Sequence, residues 1–304
     1  MTEIKESFIR FPELINLVEE KLKFLLFLLL LSILSSLIVA LVLPNTYKSE
    51  ALISIDAPDQ NPMSSMLDRY SGVASLAGIS LPSGAGQDKS LLVIETIKSR
   101  DFLRHLLKDK EIKINLMAYA SFNPSTNELL IDKEIYDESN EIWLENDFYD
   151  QGEPTFLEVY EIYRENLSAS QDKVTGFVQL SFTHISPIFA QNFLERIIDE
   201  ANNLLRIKAI DEADHSLNFL RQLLPQIAEK EIQISINSLI KQQLQSKMLA
   251  SANQDYLLKS IDRPFFPEKK SDPQRSLILV MGFMIGILIN FIYLMIVATL
   301  RKLK

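Results

Sequence analysis

Three histidines, forty acidic side chains and no cysteine bound the chemistry this chain can do. Without cysteine there are no disulfides and no thiolate metal sites. Glu212 and His215, in the stretch DEADH, stand at i and i+3, the spacing of half a di-metal site in a helical bundle. Such a site needs that motif twice, with further carboxylates, and neither His105 nor His184 supplies it. No metal ligands are therefore expected. A nucleophile, base and orienter cannot be assembled from the scattered histidines, so no catalytic residue is assigned. Paired carboxylates for glycoside hydrolysis stay open as a class, because many acids always offer pairs, but nothing singles two out. The glycines of APDQNPMSSMLDRYSGVASLAGISLPSGAG lack a Gly-Lys-Ser/Thr ending, which removes a phosphate-cradling loop, and no cofactor is expected. One stretch invites a binding role: EIWLENDFYD sets Trp143, Phe148 and Tyr149 among carboxylates, a mixture that suits sugars, although such aromatics also form core.

The elements around these residues are dominated by two apolar runs. Leu277–Leu300 carries no charge across its 24 residues, and FLLFLLLLSILSSLIVALVL fills 24–43. About 20 residues cross the hydrocarbon core of a bilayer, so both runs read as transmembrane helices. The first is too long for a cleaved signal peptide, and LPNTYKSE after it does not resemble a cleavage site. Two spans put both tails on one side. Positive charges nearly tie across the membrane, but segments beyond roughly 60 residues translocate largely regardless of charge. The expected layout is a cytoplasmic tail at 1–23, spans at 24–43 and 277–300, an external domain at 44–276 and a short cytoplasmic tail at 301–304. The external part holds 24 basic and 35 acidic residues, a net of −11, which argues against nucleic acid or anionic lipid as partner.

Within that part YKSEALISID alternates, placing Tyr47, Ala51, Ile53 and Ile55 on one face of a strand. A long Gly/Ser/Ala-rich loop follows. The stretch 88–109 reads as one helix through Leu92, Ile94, Ile97, Phe102, Leu106 and Leu107, and another helix is expected over 154–167. KVTGFVQLSFTH returns to period two, with Val178, Leu180 and Phe182 together. Ser186 then suits an N-cap and Pro187 the first helical position. An apolar stripe runs from Ala190 to about Ala250, so a nearly continuous helix would extend on the order of 90 Å, bent or interrupted at Pro225. IQISIN within it fits helix or strand. A stripe so long needs a partner along its length, which points to an oligomer. YLLKSIDRPFF can return as a strand beside Tyr47–Asp56. The fold class is α+β, a small membrane-proximal sheet with a long extended helix.

RPFFPEKKSDPQRSLILVMGFMIG then joins this domain to the second span. Pro264, Pro267 and Pro273 favour extended backbone and read as a stiff strut. Gly282 and Gly286, four apart, expose backbone to a neighbouring helix. Lys98 and Arg100 are candidates for contact between subunits, although exposed pairs of this kind contribute only ~0–1 kcal/mol.

The chain resembles the Wzz-type chain-length determinants, or polysaccharide co-polymerases, of Gram-negative bacteria. The likeness covers nearly the whole chain. It rests on TYKSEALI after the first span, SLLVIETIKSRDFL, VQLSFTHISPIFAQNFLERIIDEAN and SIDRPFFPEKKSDPQRSLILVMGFMIG. One departure is Asn290, where a further glycine is often expected. The sequence stops at Lys304, so the kinase domain of some relatives is not expected. The resemblance implies a bell-like homo-oligomeric ring on the inner membrane with its main domain periplasmic. It implies a protein that makes and breaks no bonds and acts on a membrane polymerase elongating lipid-linked glycan, setting the length of O-antigen, capsule or exopolysaccharide. An inner-membrane adaptor for polysaccharide export is the alternative, and a periplasmic glycosidase or lyase a third.

Overall fold

A computed structural model describes residues 11–55, 85–145, 149, 152–253 and 255–302. The elements begin with α1 (Phe11–Val42), β1 (Tyr47–Ile55), α2 (Ala85–Ile97), α3 (Arg100–Leu106) and α4 (Lys110–Met117). Two small hairpins follow, β2 (Tyr119–Asn123) with β3 (Glu128–Ile131), and β4 (Tyr136–Asp137) with β5 (Ile142–Trp143). Next come α5 (Phe156–Asn166), β6 (Leu167–Gln171), β7 (Val178–His184) and α6 (Pro187–Leu223). The chain closes with α7 (Lys230–Ala252), β8 (Leu258–Asp262) and α8 (Arg275–Lys302). It divides into two compact units, one holding α1 and α8, the other spanning Tyr47–Lys269.

In the first unit Val18–Val42 and Arg275–Leu300 are each long and apolar enough to cross a membrane. Large apolar side chains such as Leu30, Val42, Met284 and Phe291 face outward from both helices. That surface would be costly in water and is at ease in lipid.

The second unit is built on an antiparallel four-stranded sheet in the order β6-β7-β1-β8. Tyr47 stands opposite His184 and Ile53 opposite Val178, so the alternating apolar residues of both strands share one face. Ala51, Ile53, Val178, Leu180 and Phe182 are buried there, covered by Phe193, Leu194, Ile197 and Ala201 of α6. Ser186 caps α6, accepting the Phe189 N–H at 3.2 Å with Pro187 at the first turn, as the sequence requires. β8 lies beside β1 as expected.

Three expectations change. The helix expected over 88–109 is broken in two, because Ser99 turns from helical to extended backbone and caps α3 by accepting the Phe102 N–H at 3.1 Å. The edge strand β6 starts at Leu167, where the helix expected over 154–167 ends, and runs through residues to which the sequence pattern assigns no element. Most consequential, the long run is interrupted at Pro225 as expected but does not extend to about 90 Å: α6 spans 37 residues, about 55 Å at 1.5 Å per residue. A short 3₁₀ turn at Leu224–Gln226 follows, and α7 folds back antiparallel along α6. Asp214 and Lys247, 33 residues apart, are joined at 2.5 Å. Asn202 Oδ1 accepts the N–H groups of Leu257 (3.0 Å) and Leu258 (3.3 Å), where the returning chain enters β8. IQISIN is helical within α7. Most of the expected Gly/Ser/Ala-rich loop, residues 57–84, and Phe148 lie outside the described residues.

Candidate functional site

The two membrane-type helices touch along a seam of small residues. A Cβ placed on Gly282 would overlap the Ser36 side chain, and one placed on Gly286 would overlap Ser32 Oγ. Farther along, the rings of Phe24 and Tyr293 meet at 4.9 Å. The paired numbers run in opposite directions, so α1 and α8 are antiparallel. Ser36 Oγ donates to the backbone carbonyl of Ile278 at 2.6 Å, a bond between helices that in lipid would meet no competing water. Reading the sequence found Gly282 and Gly286 but missed Ser32 and Ser36. Their spacing of four in SILSS is the same small-residue signal.

Beyond the seam, still in this unit, the segment leaving α1 and the segment entering α8 are clamped together. Thr46 N–H donates to the Asp272 carbonyl and Ser271 N–H to the Thr46 carbonyl, both at 2.8 Å. Asn45 Oδ1 accepts from Lys270 Nζ at 3.4 Å and Arg275 Nη2 at 3.2 Å. Pro273 is half-buried beside this clamp.

Pro264 and Pro267 belong to the second unit, where both are buried. The Pro264 carbonyl accepts from Gln191 Nε2 at 3.2 Å, and the Phe265 carbonyl accepts from Ser49 Oγ at 2.9 Å. The segment is thus fastened to α6 and β1 over these residues. Lys98 and Arg100 flank the Ser99 break. Lys98 Nζ donates to the Ala169 carbonyl at 3.0 Å, and the Arg100 guanidinium lies 5.5 Å over the Tyr160 ring. From α5, Tyr160 donates to the Lys98 carbonyl at 3.0 Å and Tyr163 to the Ile97 carbonyl at 2.7 Å. Carbonyls at a helix end have no partner within the helix, so these two hydroxyls complete the end of α2. Burial pushes the Tyr163 phenol far up, which keeps it a neutral donor.

Glu212 and His215 do not converge. Glu212 pairs with Lys208 at 3.9 Å and His215 with Asp211 at 3.6 Å, each along the exposed face of α6. Among the described residues no three His, Asp or Glu side chains gather as metal ligands. His105 meets Glu200 at 3.0 Å. His184 is buried between Tyr119 and Phe189, its Nδ1 accepting the Ser186 N–H at 3.2 Å. Burial lowers its pKa to about 4. Of the aromatic stretch, Tyr149 donates to the Met117 carbonyl at 2.8 Å, while Trp143 is half-buried at the edge of a cleft.

Residues 8–110 match the family model Wzz, described as chain length determinant protein. Over those residues, about a third of the chain, the sequence is similar to the Wzz family. The Wzz segment takes in α1, β1, α2 and α3, and so includes Ser32, Ser36, Lys98 and Arg100. Among solved structures, a full-length bacterial polysaccharide co-polymerase aligns at 12% identity and a TM-score of 0.32, covering 91% of this chain and 94% of its own. A fragment of WzzB, a polysaccharide co-polymerase from Salmonella Typhimurium, aligns at 14% identity and a TM-score of 0.29, covering 75% and 100%. No curated protein matches.

Proposed function

We propose that this chain is a Wzz-type, non-enzymatic regulator of surface polysaccharide chain length, acting as a homo-oligomeric scaffold on the membrane polymerase. The observation that carries the reading is the Wzz match over 8–110, which begins before the first span and ends beyond α3. The antiparallel pairing of α1 and α8 supports a two-pass chain with both termini on one side of the membrane, which in this reading is the cytoplasmic side, with residues 44–276 in the periplasm. In this reading Lys98 and Arg100 would meet a neighbouring subunit, Pro264, Pro267 and Pro273 would act as a strut, and the Gly282/Gly286 seam would pack the membrane helices. The hairpin of α6 and α7 supports assembly, because the return helix leaves apolar side chains uncovered. Phe219 is 63%, Ile234 67% and Met248 69% exposed, and a second copy would remove them from water. The mechanism is one of shape: the assembly prolongs or shortens the time a growing lipid-linked chain stays with the polymerase.

Deleting the gene tests this. The length distribution of surface polysaccharide on a gel should change while repeat units are still made and still exported. An unchanged ladder refutes a role in length, and polymer trapped inside the cell assigns the chain to export instead.

A further inference from the structure

A cleft of about 440 Å³ opens in the second unit between α4, the β4–β5 hairpin and the segment leading into α5. It falls within the ~300–1,000 Å³ usual for small-molecule sites. Its chemistry is mixed in a particular way. Tyr136 and Trp143 pack edge to face at 5.1 Å and form an aromatic wall. Lys113 Nζ lies 5.4 Å over the Trp143 ring and also donates to Glu153 Oε1 at 2.6 Å. Lys110 and Glu141 stand at the lip, exposed and, among the described residues, without an ion pair. Two ammonium groups and two carboxylates therefore share one small space with an aromatic face.

Glu141 is also strained. It sits in the β4–β5 turn at φ 53°, a left-handed position that favours glycine or asparagine. Fold alone gives no reason for glutamate there, and strain of this kind collects at functional sites. What the residue gains is a carboxylate held at the mouth of the cleft.

We infer that this cleft is a saccharide-binding subsite for a short, uncharged stretch of the glycan. Sugar hydroxyls each donate and accept, so they are satisfied by ammonium donors alternating with carboxylate acceptors. The apolar C–H face of a sugar ring packs on an aromatic wall. The lining charges cancel, which selects a neutral segment over a polyanion. The inference rests on the reading of the chain as a regulator of glycan length, and it assigns that regulator a point of direct contact with the polymer.

The lone tryptophan is a built-in reporter, since its indole is part of the wall. Full-length protein in detergent micelles is titrated with repeat-unit oligosaccharides released from the host strain's surface polysaccharide by mild acid. A saturable change in Trp143 emission is expected. Glu141→Gly should weaken it at least tenfold without lowering the melting temperature, because glycine relieves the turn while removing the carboxylate. Lys110→Met, at an exposed position, should weaken it as well. A purely structural role for Glu141 would leave binding intact in the glycine variant, and that result overturns the inference. So does a flat titration to about 10 mM, where even a weak site would fill. A response given only by oligogalacturonate and erased by salt would be charge attraction, and overturns it too. If the titration is flat but gene deletion still alters the ladder, the length-regulating function stands and only the subsite falls.

Discussion

Ser36 and Ile278 are 242 residues apart in sequence, yet the serine hydroxyl donates to the isoleucine carbonyl at 2.6 Å. The bond is made only because Gly282, one turn farther along α8, presents no side chain to Ser36. In lipid there is no gain from hiding apolar surface between helices, so association depends on close packing and on polar contacts of this sort. Ser32 and Gly286 repeat the close approach one turn along, with Ser32 Oγ donating inside its own helix to the Leu29 carbonyl at 2.8 Å.

Gly286→Leu should therefore drive α1 and α8 apart. A leucine side chain cannot share the space of Ser32 Oγ, and the backbones must separate. Ser36→Ala is milder, losing one interhelical hydrogen bond of about 1 kcal/mol. The chain contains no cysteine, so a Phe24→Cys/Tyr293→Cys pair, placed where the two rings meet and leaving both glycines untouched, reports the helix contact cleanly with a short bifunctional thiol reagent. Crosslinking should be efficient in that pair and fall sharply when Gly286→Leu is added. If the length function runs through this seam, Gly286→Leu also shifts the polysaccharide ladder, while Ser36→Ala leaves it near normal. Full crosslinking in the leucine variant would show that the seam has slack.

The α6–α7 hairpin contains two polar fastenings of unequal weight. Asn202 is buried and its Oδ1 accepts two backbone N–H groups, those of Leu257 and Leu258. Asn202→Ala strands both donors, at roughly 1–3 kcal/mol each. Asp214→Ala breaks the pair with Lys247, whose side chain is 36% exposed against 44% for the aspartate, so the loss should stay below about 1 kcal/mol. Urea unfolding of the full chain in micelles should rank them in that order. Equal midpoints would mean that the asparagine site repairs itself with water.

Much of this fold is legible in the residue pattern, and the failures have physical causes. The alternation of Val178, Leu180 and Phe182 and the Ser186–Pro187 start of α6 are local signals, set by sterics and capping within a few residues. β6 is an edge strand of five residues with only Leu167 and Ala169 turned inward, too short to show a period. The break at Ser99 is masked because apolar residues continue in phase on both sides. Pro225 announces that a helix stops, but not where the chain goes next. That direction is decided by Asn202 with Leu257 and by Asp214 with Lys247, partners that no local window contains. At the seam Gly282 and Gly286 are readable, and so in principle are Ser32 and Ser36, but their pairing is not. Lys98 looks like a free surface cation until the Ala169 carbonyl is placed 3.0 Å from it. The cleft depends on Lys113 and Glu153 meeting across 40 residues, and on the backbone of Glu141.

Tyr163→Phe isolates the joint between α2 and α3. The phenol is fully buried and donates to the Ile97 carbonyl at 2.7 Å, where α2 ends. Removing the hydroxyl keeps the ring and its packing on Phe193, but leaves a buried helix-end carbonyl without this donor. A loss of about 1–2 kcal/mol follows, read as a lower denaturation midpoint with an unchanged slope. Tyr160→Phe removes the donor to the Lys98 carbonyl from a half-buried position that water can reach, and should cost less. If the two variants are equally stable, the joint is held by ring packing and not by the hydroxyls.

His184 gives the Tyr47–Lys269 unit a pH dependence whose direction is fixed by its burial. Desolvation between Tyr119 and Phe189 holds the folded imidazole neutral down to about 4, whereas the unfolded chain takes up its proton near the usual 6.5. Between those values the unfolded state binds more protons, so stability falls as pH drops from about 6.5 towards 4. The full span corresponds to about 3 kcal/mol, and above pH 6.5 this residue contributes no slope. His184→Asn can still accept the Ser186 N–H through Oδ1, in the place of Nδ1, but cannot titrate. Plotting the denaturation midpoint of the full chain against pH should show a steeper acid limb for the native sequence than for the asparagine variant. Parallel curves would mean that the ring is protonated inside the fold and its site is wetter than the packing around it implies.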